Sequence, residues 1–334
     1  MIRRPPRSTQ GVSSAASDVY KRQDYDCVKQ MYARMEQYHS MGMEVDKLEV
    51  LVLGGTWSEY PPEYQEEFIR DIYYAANTFF RPRTKRLGLD EEQAINDHVV
   101  QGANVIGLTL ETRPDTITLD EIKRMRRFGC TRIQLGVQHT NNWILKQCNR
   151  GHKVSAAIDA IRLLKDNGYK IDIHLMPNLR GASPEIDYQM FMDVLTNPEL
   201  QVDQWKIYPC SVVPWSKFEE MFKSGDYKPY SDNELLELIL RILPMIHPWI
   251  RVNRIIRDIP IGYISGGCSL PNMREVLDKK MIAVHNKSSK LTSTINHTVL
   301  VRQHNKSVSF VLPPIFGKTH IGKTKDLIST THQY

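Results

Sequence analysis

Residues 47–56 read KLEVLVLGGT, an apolar run from Leu48 to Leu53 that ends on two glycines. A short apolar run bounded by turn residues predicts a buried strand. The segment after it, Pro61 to Phe79, carries a helical period with Pro61 and Pro62 near its start, where a proline's missing N–H costs nothing. The same strand-and-helix step recurs along the chain. Predicted strands cover 105–110, 132–135, 170–176, 204–208 and 249–256, and predicted helices cover 28–41, 91–100, 119–128, 155–167, 184–195 and 233–246. About six βα repeats result, fewer than the eight of a complete barrel, so the pattern predicts an α/β fold: either a partial barrel of (βα)6 type or an open parallel sheet. In both architectures the chemistry sits at the carboxyl ends of the strands.

Those ends carry polar groups. The first strand runs into Gly54-Gly55-Thr56, where absent Cβ atoms let a ligand reach backbone N–H groups, although a tight turn accounts for the same residues. The second ends in Glu111-Thr112-Arg113-Pro114-Asp115, placing a carboxylate and a guanidinium at the rim as a mutual ion pair or as a clamp for a zwitterion. The third delivers Gln138 and His139, the fourth exits at Met176-Pro177-Asn178 and the fifth at Tyr208-Pro209. Such a rim favours a polar, multifunctional ligand of the nucleoside kind. Basic clusters at 123–127, at 146–153 (KQCNRGHK) and at Arg251, Arg254 and Arg257 read as solvated faces or as a track for a phosphate backbone. His139, His152 and His174 read as satisfied histidines, as ligands or as general acids.

The formal charge of +6 belongs to the ends of the chain. Residues 1–23 hold five Lys/Arg against Asp18, and residues 281–334 hold seven against Asp326. Removing both from 44 basic and 38 acidic residues leaves 32 and 36 in residues 24–280, net −4. Residues 1–23 resemble translated adaptor sequence and are expected to be a non-native leader; 24–280 form the barrel core; 281–334 form a tail whose apolar patch 308–316 has the look of a strand. Five cysteines, Cys27, Cys130, Cys148, Cys210 and Cys268, include no close pair, which argues for a reducing compartment and a cytoplasmic location. No stretch reaches the roughly 18–20 apolar residues of a membrane span.

Several motifs in order, VDKLEVLVLGGTWSEYPPEYQEEFIRD (45–71), IGLTLETRPD (106–115), RIQLGVQ (132–138), NRGH (149–152), IHLMPNL (173–179), WKIYP (205–209) and RIIRDIPIGYISGG (254–267), resemble the catalytic subunit of Elongator and its bacterial and archaeal relatives. The likeness covers about 24–280. It implies a radical S-adenosylmethionine (SAM) barrel joined to a C-terminal acetyltransferase-like domain, which together place a carboxymethyl group on C5 of the tRNA wobble uridine, U34, using acetyl-CoA, SAM and a [4Fe-4S] cluster. By the same resemblance Gly54, Gly55, Thr56, Glu111, Arg113 and Gln138 are expected to contact SAM, Lys47 to serve acetyl-CoA, and Arg150, His152 and Lys153 to face tRNA. Partners implied are tRNA and either further Elongator subunits or a second copy of the chain, without a membrane.

The three cluster cysteines of that family lie upstream of the Gly54 strand, where this chain carries residues 1–23, and the acetyltransferase domain is expected just after Arg274 and Glu275, yet the likeness fades near Lys279. The expectation is therefore an inactive fragment missing its cluster segment and its acetyltransferase domain, with no metal ligand among the five cysteines. A non-catalytic tRNA-binding barrel, or a radical SAM enzyme acting on a small metabolite, are the alternatives. The chain as written is expected to bind little iron; a stoichiometric, oxygen-sensitive cluster in an anaerobic iron and absorption assay would refute this.

Overall fold

The computed structural model describes residues 26–288, apart from Gly54, 99–101, Trp215, 257–258, Pro260 and Pro271, together with 308–312. The leader at 1–23 lies outside the described residues, as does most of the tail. The described strands β1 (Lys47–Val52), β2 (Asn104–Thr112), β3 (Arg132–Gln138), β4 (Lys170–Leu175), β5 (Gln204–Ile207) and β7 (Arg251–Arg254) are reached through helices in turn. They form the parallel α/β partial barrel predicted from the repeats, rather than the open sheet. A two-residue strand, β6 (Ser211–Val212), pairs antiparallel with β8 (Gly266–Gly267).

The chain divides into two compact units, residues 1–134 with 303–334, and residues 135–302. In the first, β1 and β2 are parallel, from Lys47 opposite Asn104 to Val52 opposite Leu110. On its other side β1 pairs with β9 (Val308–Leu312), so the apolar patch of the tail does form a strand. Helices α1 (Cys27–Ser40), α2 (Pro62–Thr78), α3 (Leu89–Asp97) and α4 (Leu119–Arg127) belong to this unit. Helix α2 buries Phe68, Ile69, Ile72, Ala75 and Ala76, the residues that its 3.6 period places on one side. Burying each large apolar side chain contributes about 1.5–3 kcal/mol.

In the second unit, β4 pairs with β5 and β5 with β7, all parallel. Its helices are α5 (Asn142–Gln147), α6 (Val154–Asp166), α7 (Pro184–Thr196), α8 (Lys217–Ser224), α9 (Asp232–Ile242) and α10 (Met273–Ser288). Ile173 and Trp205 are in register, and Trp205 packs on Phe191 of α7 with ring centroids 6.1 Å apart. Alternation along the strands therefore turns Asp172, His174, Gln204 and Lys206 to the opposite, concave face. Strand β3 begins in one unit and ends in the other.

The elements differ from expectation in places where local pattern is weak. The helix expected over 233–246 ends at Ile242 and tightens into a 3-10 turn at Leu243–Met245, because Pro244 has no N–H to donate to an α-helical bond. Helices α5 and α8, of six and eight residues, are too short to show a period.

Gly129 sets how α4 turns into β3. Its φ is +75°, and an added Cβ would collide with the Tyr73 hydroxyl, which donates to the Phe128 carbonyl at 3.3 Å. Gly129→Ala is expected to cost about 2–4 kcal/mol. In combination with Tyr73→Phe the loss should be smaller than the sum of the single losses, as read by urea unfolding, because the colliding oxygen is gone.

Candidate functional site

In the first unit, β1 leads into Gly55, at φ 126°, and then into Thr56, which precedes the 3-10 turn Trp57–Glu59. Gly54 lies outside the described residues. Hydroxyl groups join this loop to the end of β2: Ser58 Oγ lies 2.9 Å from Thr112 Oγ1, which lies 2.9 Å from Thr116 Oγ1, and Thr116 donates to the Arg113 carbonyl at 2.8 Å. From α2, Gln65 Nε2 donates to the carbonyls of Trp57 at 3.1 Å and Tyr60 at 2.8 Å. The sequence motifs after β1 and β2 are thus one connected structure.

Glu111 is buried at the end of β2. Burial first, and then the negative charge of Glu111, push the Tyr60 hydroxyl from 10 up to about 12. Arg113 does not have Glu111 as its ion-pair partner here: its Nε and Nη2 fork onto Asp115 at 2.8 and 2.6 Å. Lys47 stands at the amino end of β1, exposed, and about 17 Å along the strand from its carboxyl end at the ordinary rise per residue. A cavity of about 370 Å³ lined by His39, Met43, Val45, Asp46 and Phe80 lies at that amino end. Lys47 is therefore not brought together with Gly55, Thr56 and Glu111.

In the second unit, Gln138 closes β3 with φ 72°, its side chain buried and its Oε1 without a partner. Its carbonyl accepts the Met176 N–H at 2.8 Å. The next residue, His139, is fully buried; its Nδ1 accepts the Asn141 N–H at 2.9 Å, so the ring proton sits on Nε2 and is donated to Asp187 at 3.0 Å. The other oxygen of Asp187 accepts the Asn178 N–H and the Tyr230 hydroxyl, each at 2.7 Å. Burial and then the Asp187 carboxylate hold the Tyr230 hydroxyl far above its ordinary range. His139 is thus a satisfied histidine. Asp187 and Tyr230 carried no sequence signal, since they lie 48 and 91 residues beyond His139 and in no recognisable pattern.

Arg150 donates through Nη2 to the Gly136 carbonyl at 2.6 Å and through Nε to His152 Nε2 at 3.0 Å. A Cβ on residue 136 would stand 2.5 Å from Arg150 Nη2, so glycine is what lets this arginine reach the strand. Of the three expected tRNA-facing residues, Arg150 and His152 are joined to each other, and Lys153 is exposed at the start of α6.

Among the described residues no group of three or more His, Cys, Asp or Glu is placed to hold a metal ion. Cys27 and Cys130 donate to the carbonyls of Phe68 and Arg132, at 3.5 and 3.2 Å. Burial pushes the Cys27 thiol well up and that of Cys130 up to about 12. A cluster ligand must be a thiolate, so these buried thiols do not fit a cluster. Among the described residues no helix is long and apolar enough to cross a membrane.

Residues 36–186 match the radical SAM superfamily, and residues 202–283 match the radical SAM C-terminal domain. The chain is 40% identical over 258 residues to the tRNA uridine(34) acetyltransferase of Methanocaldococcus infernus, covering 77% of this chain and 47% of that protein. It is 36% identical over 257 residues to Elongator complex protein 3 of Schizosaccharomyces pombe, covering 77% of this chain and 46% of that protein. The solved structure of the archaeal Methanocaldococcus infernus Elp3 with an N-terminal deletion of residues 1–46 aligns with a TM-score of 0.74 at 39% identity, covering 79% of this chain and 61% of that one. The chain spans about half the length of the curated relatives it matches.

The raised Tyr60 pKa has a signed consequence for stability. A hydroxyl whose pKa is higher folded than unfolded contributes stability that is fully present below pH 10 and is lost as the pH rises through about 12. Tyr60→Phe should flatten that alkaline loss in urea unfolding at successive pH values. Glu111→Gln should move the Tyr60 transition down while leaving it above 10, because burial is the larger cause.

Proposed function

Since the chain belongs to the radical SAM superfamily and is related within it to the tRNA uridine(34) acetyltransferases and Elongator complex protein 3, we propose that it acts in modification of the tRNA wobble uridine. The finer reading is carboxymethylation at C5 of U34, with acetyl-CoA as source of the added carbons and SAM as source of the radical. The single observation that carries it is the radical SAM match over 36–186, which contains Gly55, Glu111 and Gln138 on three successive strand ends.

The parts the chain itself supplies are recognition and orientation. The backbone at Gly55-Thr56 offers N–H groups at a strand end, and the Gln138 amide offers a buried acceptor without a protein partner, the kind of group a ribose hydroxyl or an ammonium satisfies. Glu111 offers a buried carboxylate to the positive end of an amino acid. SAM presents a ribose and an amino-acid end of these kinds, so each of these groups taken singly suits it. The [4Fe-4S] cluster finds no such fit among the described residues. The exposed Lys153, with Arg150 holding its segment against β3, suits the phosphate backbone of tRNA.

Binding of an anticodon stem–loop to the purified chain should weaken as salt is raised, with a linear dependence of the logarithms. Lys153→Ala should reduce that slope by about 1 and leave the unfolding midpoint unchanged, because the side chain is exposed. Binding that ignores salt, or an unchanged slope in the variant, would count against this face as the tRNA surface.

A further inference from the structure

Three basic side chains stand side by side on the concave face of the second unit. His174 of β4 is in register with Lys206 of β5, and Lys206 is in register with Arg254 of β7. They are 4%, 6% and 9% exposed. Their face is the one turned away from α7, because the residues one position earlier, Ile173 and Trp205, lie toward Phe191.

Arg254 reaches this face through a register shift. Trp205 stands opposite Val252, and Lys206 stands opposite Arg254, so Asn253 is an inserted residue in β7. Asn253 also serves the concave face: its amide donates to Asp172 Oδ2 at 3.0 Å and to Gln204 Oε1 at 2.6 Å. A bulge that gives two successive residues to one face re-aims side chains, and such bulges gather beside functional sites. The face is layered as a result, with Asp172, Gln204 and Asn253 as an amide-and-carboxylate floor and the basic row above it. Tyr208 stands beyond the row, its ring edge-on to His174 at 5.4 Å.

Each member of the row keeps protein contacts of its own, so the case for a ligand rests on arrangement. Neighbouring strands lie about 4.8 Å apart, so the row spans roughly 10 Å, and two adjacent members can both donate to the oxygens of one anionic group. Imidazole, ammonium and guanidinium differ in geometry, and only the guanidinium offers a planar fork for two oxygens.

We propose that His174, Lys206 and Arg254 form an oxyanion site that holds a phosphate or carboxylate group of the ligand bound on the concave face. Assigning that ligand to tRNA modification rests on the function proposed above; the anion site itself does not. The phosphate source would be a nucleotide, and the carboxylate source a small acid.

Isothermal titration of the purified chain with inorganic phosphate, acetate, uridine 5′-monophosphate and uridine tests the site. Saturable binding of phosphate and the nucleotide, without acetate or uridine, identifies a phosphate ligand; acetate binding more tightly than phosphate identifies a carboxylate. Lys206→Met and Arg254→Met should each weaken the anion at least ~10-fold, and Lys206→Arg should keep it within ~3-fold. No saturable response of the unmutated chain to any probe overturns the proposal, whether or not the variants fold, as does unchanged binding in a folded Lys206→Met. Stem–loop binding measured on the same preparation separates the two readings, because salt-dependent tRNA binding without an anion response keeps the proposed function and removes this site.

Discussion

Asp187 is the constraint on which the strand ends of the second unit depend. Its carboxylate has no exposed surface, and the desolvation of such a group costs several kcal/mol. Three donors offset that cost: the His139 imidazole, the Asn178 N–H and the Tyr230 hydroxyl. Gln138, next to one donor, and Asn178, itself another, are both non-glycine residues with positive φ, at 72° and 67°. Each such conformation costs of order 1–3 kcal/mol and persists only where its surroundings over-determine it. Here the surroundings are one carboxylate, the bond from Met176 N–H to the Gln138 carbonyl, and the bond from the Tyr227 hydroxyl to the Asn178 carbonyl. Remove the carboxylate and two strand ends lose their geometry together.

A second constraint is that the strands are buried on both faces. A parallel sheet covered by helices on one side has apolar residues there, and its other side is free to carry polar groups. In β2, Leu108 and Leu110 alternate with buried Thr109 and Glu111. In β4, Ile171, Ile173 and Leu175 alternate with Asp172 and His174. Near the strand entries, Glu49 of β1 takes the guanidinium of Arg132 of β3 at 2.6 Å, so a charge at one strand's entry is neutralised from the strand two places along, across β2. Polar residues inside these strands are therefore the informative ones, because burial makes each of them costly without a partner or a ligand.

This explains what could be read from the residues alone. The βα repeats were legible because apolar runs such as Leu48 to Leu53 and helical periods such as Pro61 to Phe79 are local, and the observed strand and helix agree with them to within a residue. The strand-end candidates were legible for the same reason. Partnership was not. Arg113 turns to Asp115, two residues on, through a local fork that competes with the pairing to Glu111. The His139–Asp187–Tyr230 network joins residues far apart in the chain, and the row from His174 to Arg254 depends on an inserted Asn253 that no single-strand pattern reveals. Arg254 was visible in the sequence only as one of a basic group; register is what turns it toward His174 and Lys206.

The two kinds of buried group point to a division of labour. Cys27 and Cys130 are buried, donate to backbone carbonyls and are held protonated by burial, which is the environment of a packing residue and the opposite of a metal ligand's. The glutamine, glutamate and basic residues on the strand ends and concave face are instead hydrogen-bonding and charged groups kept from water. A protein gains nothing in stability from an unsatisfied amide oxygen such as Gln138 Oε1, whose replacement by an apolar side chain of similar shape would avoid the cost. Keeping it is understandable if a bound molecule completes the bond. On the function proposed above, these groups grip and orient a bound molecule.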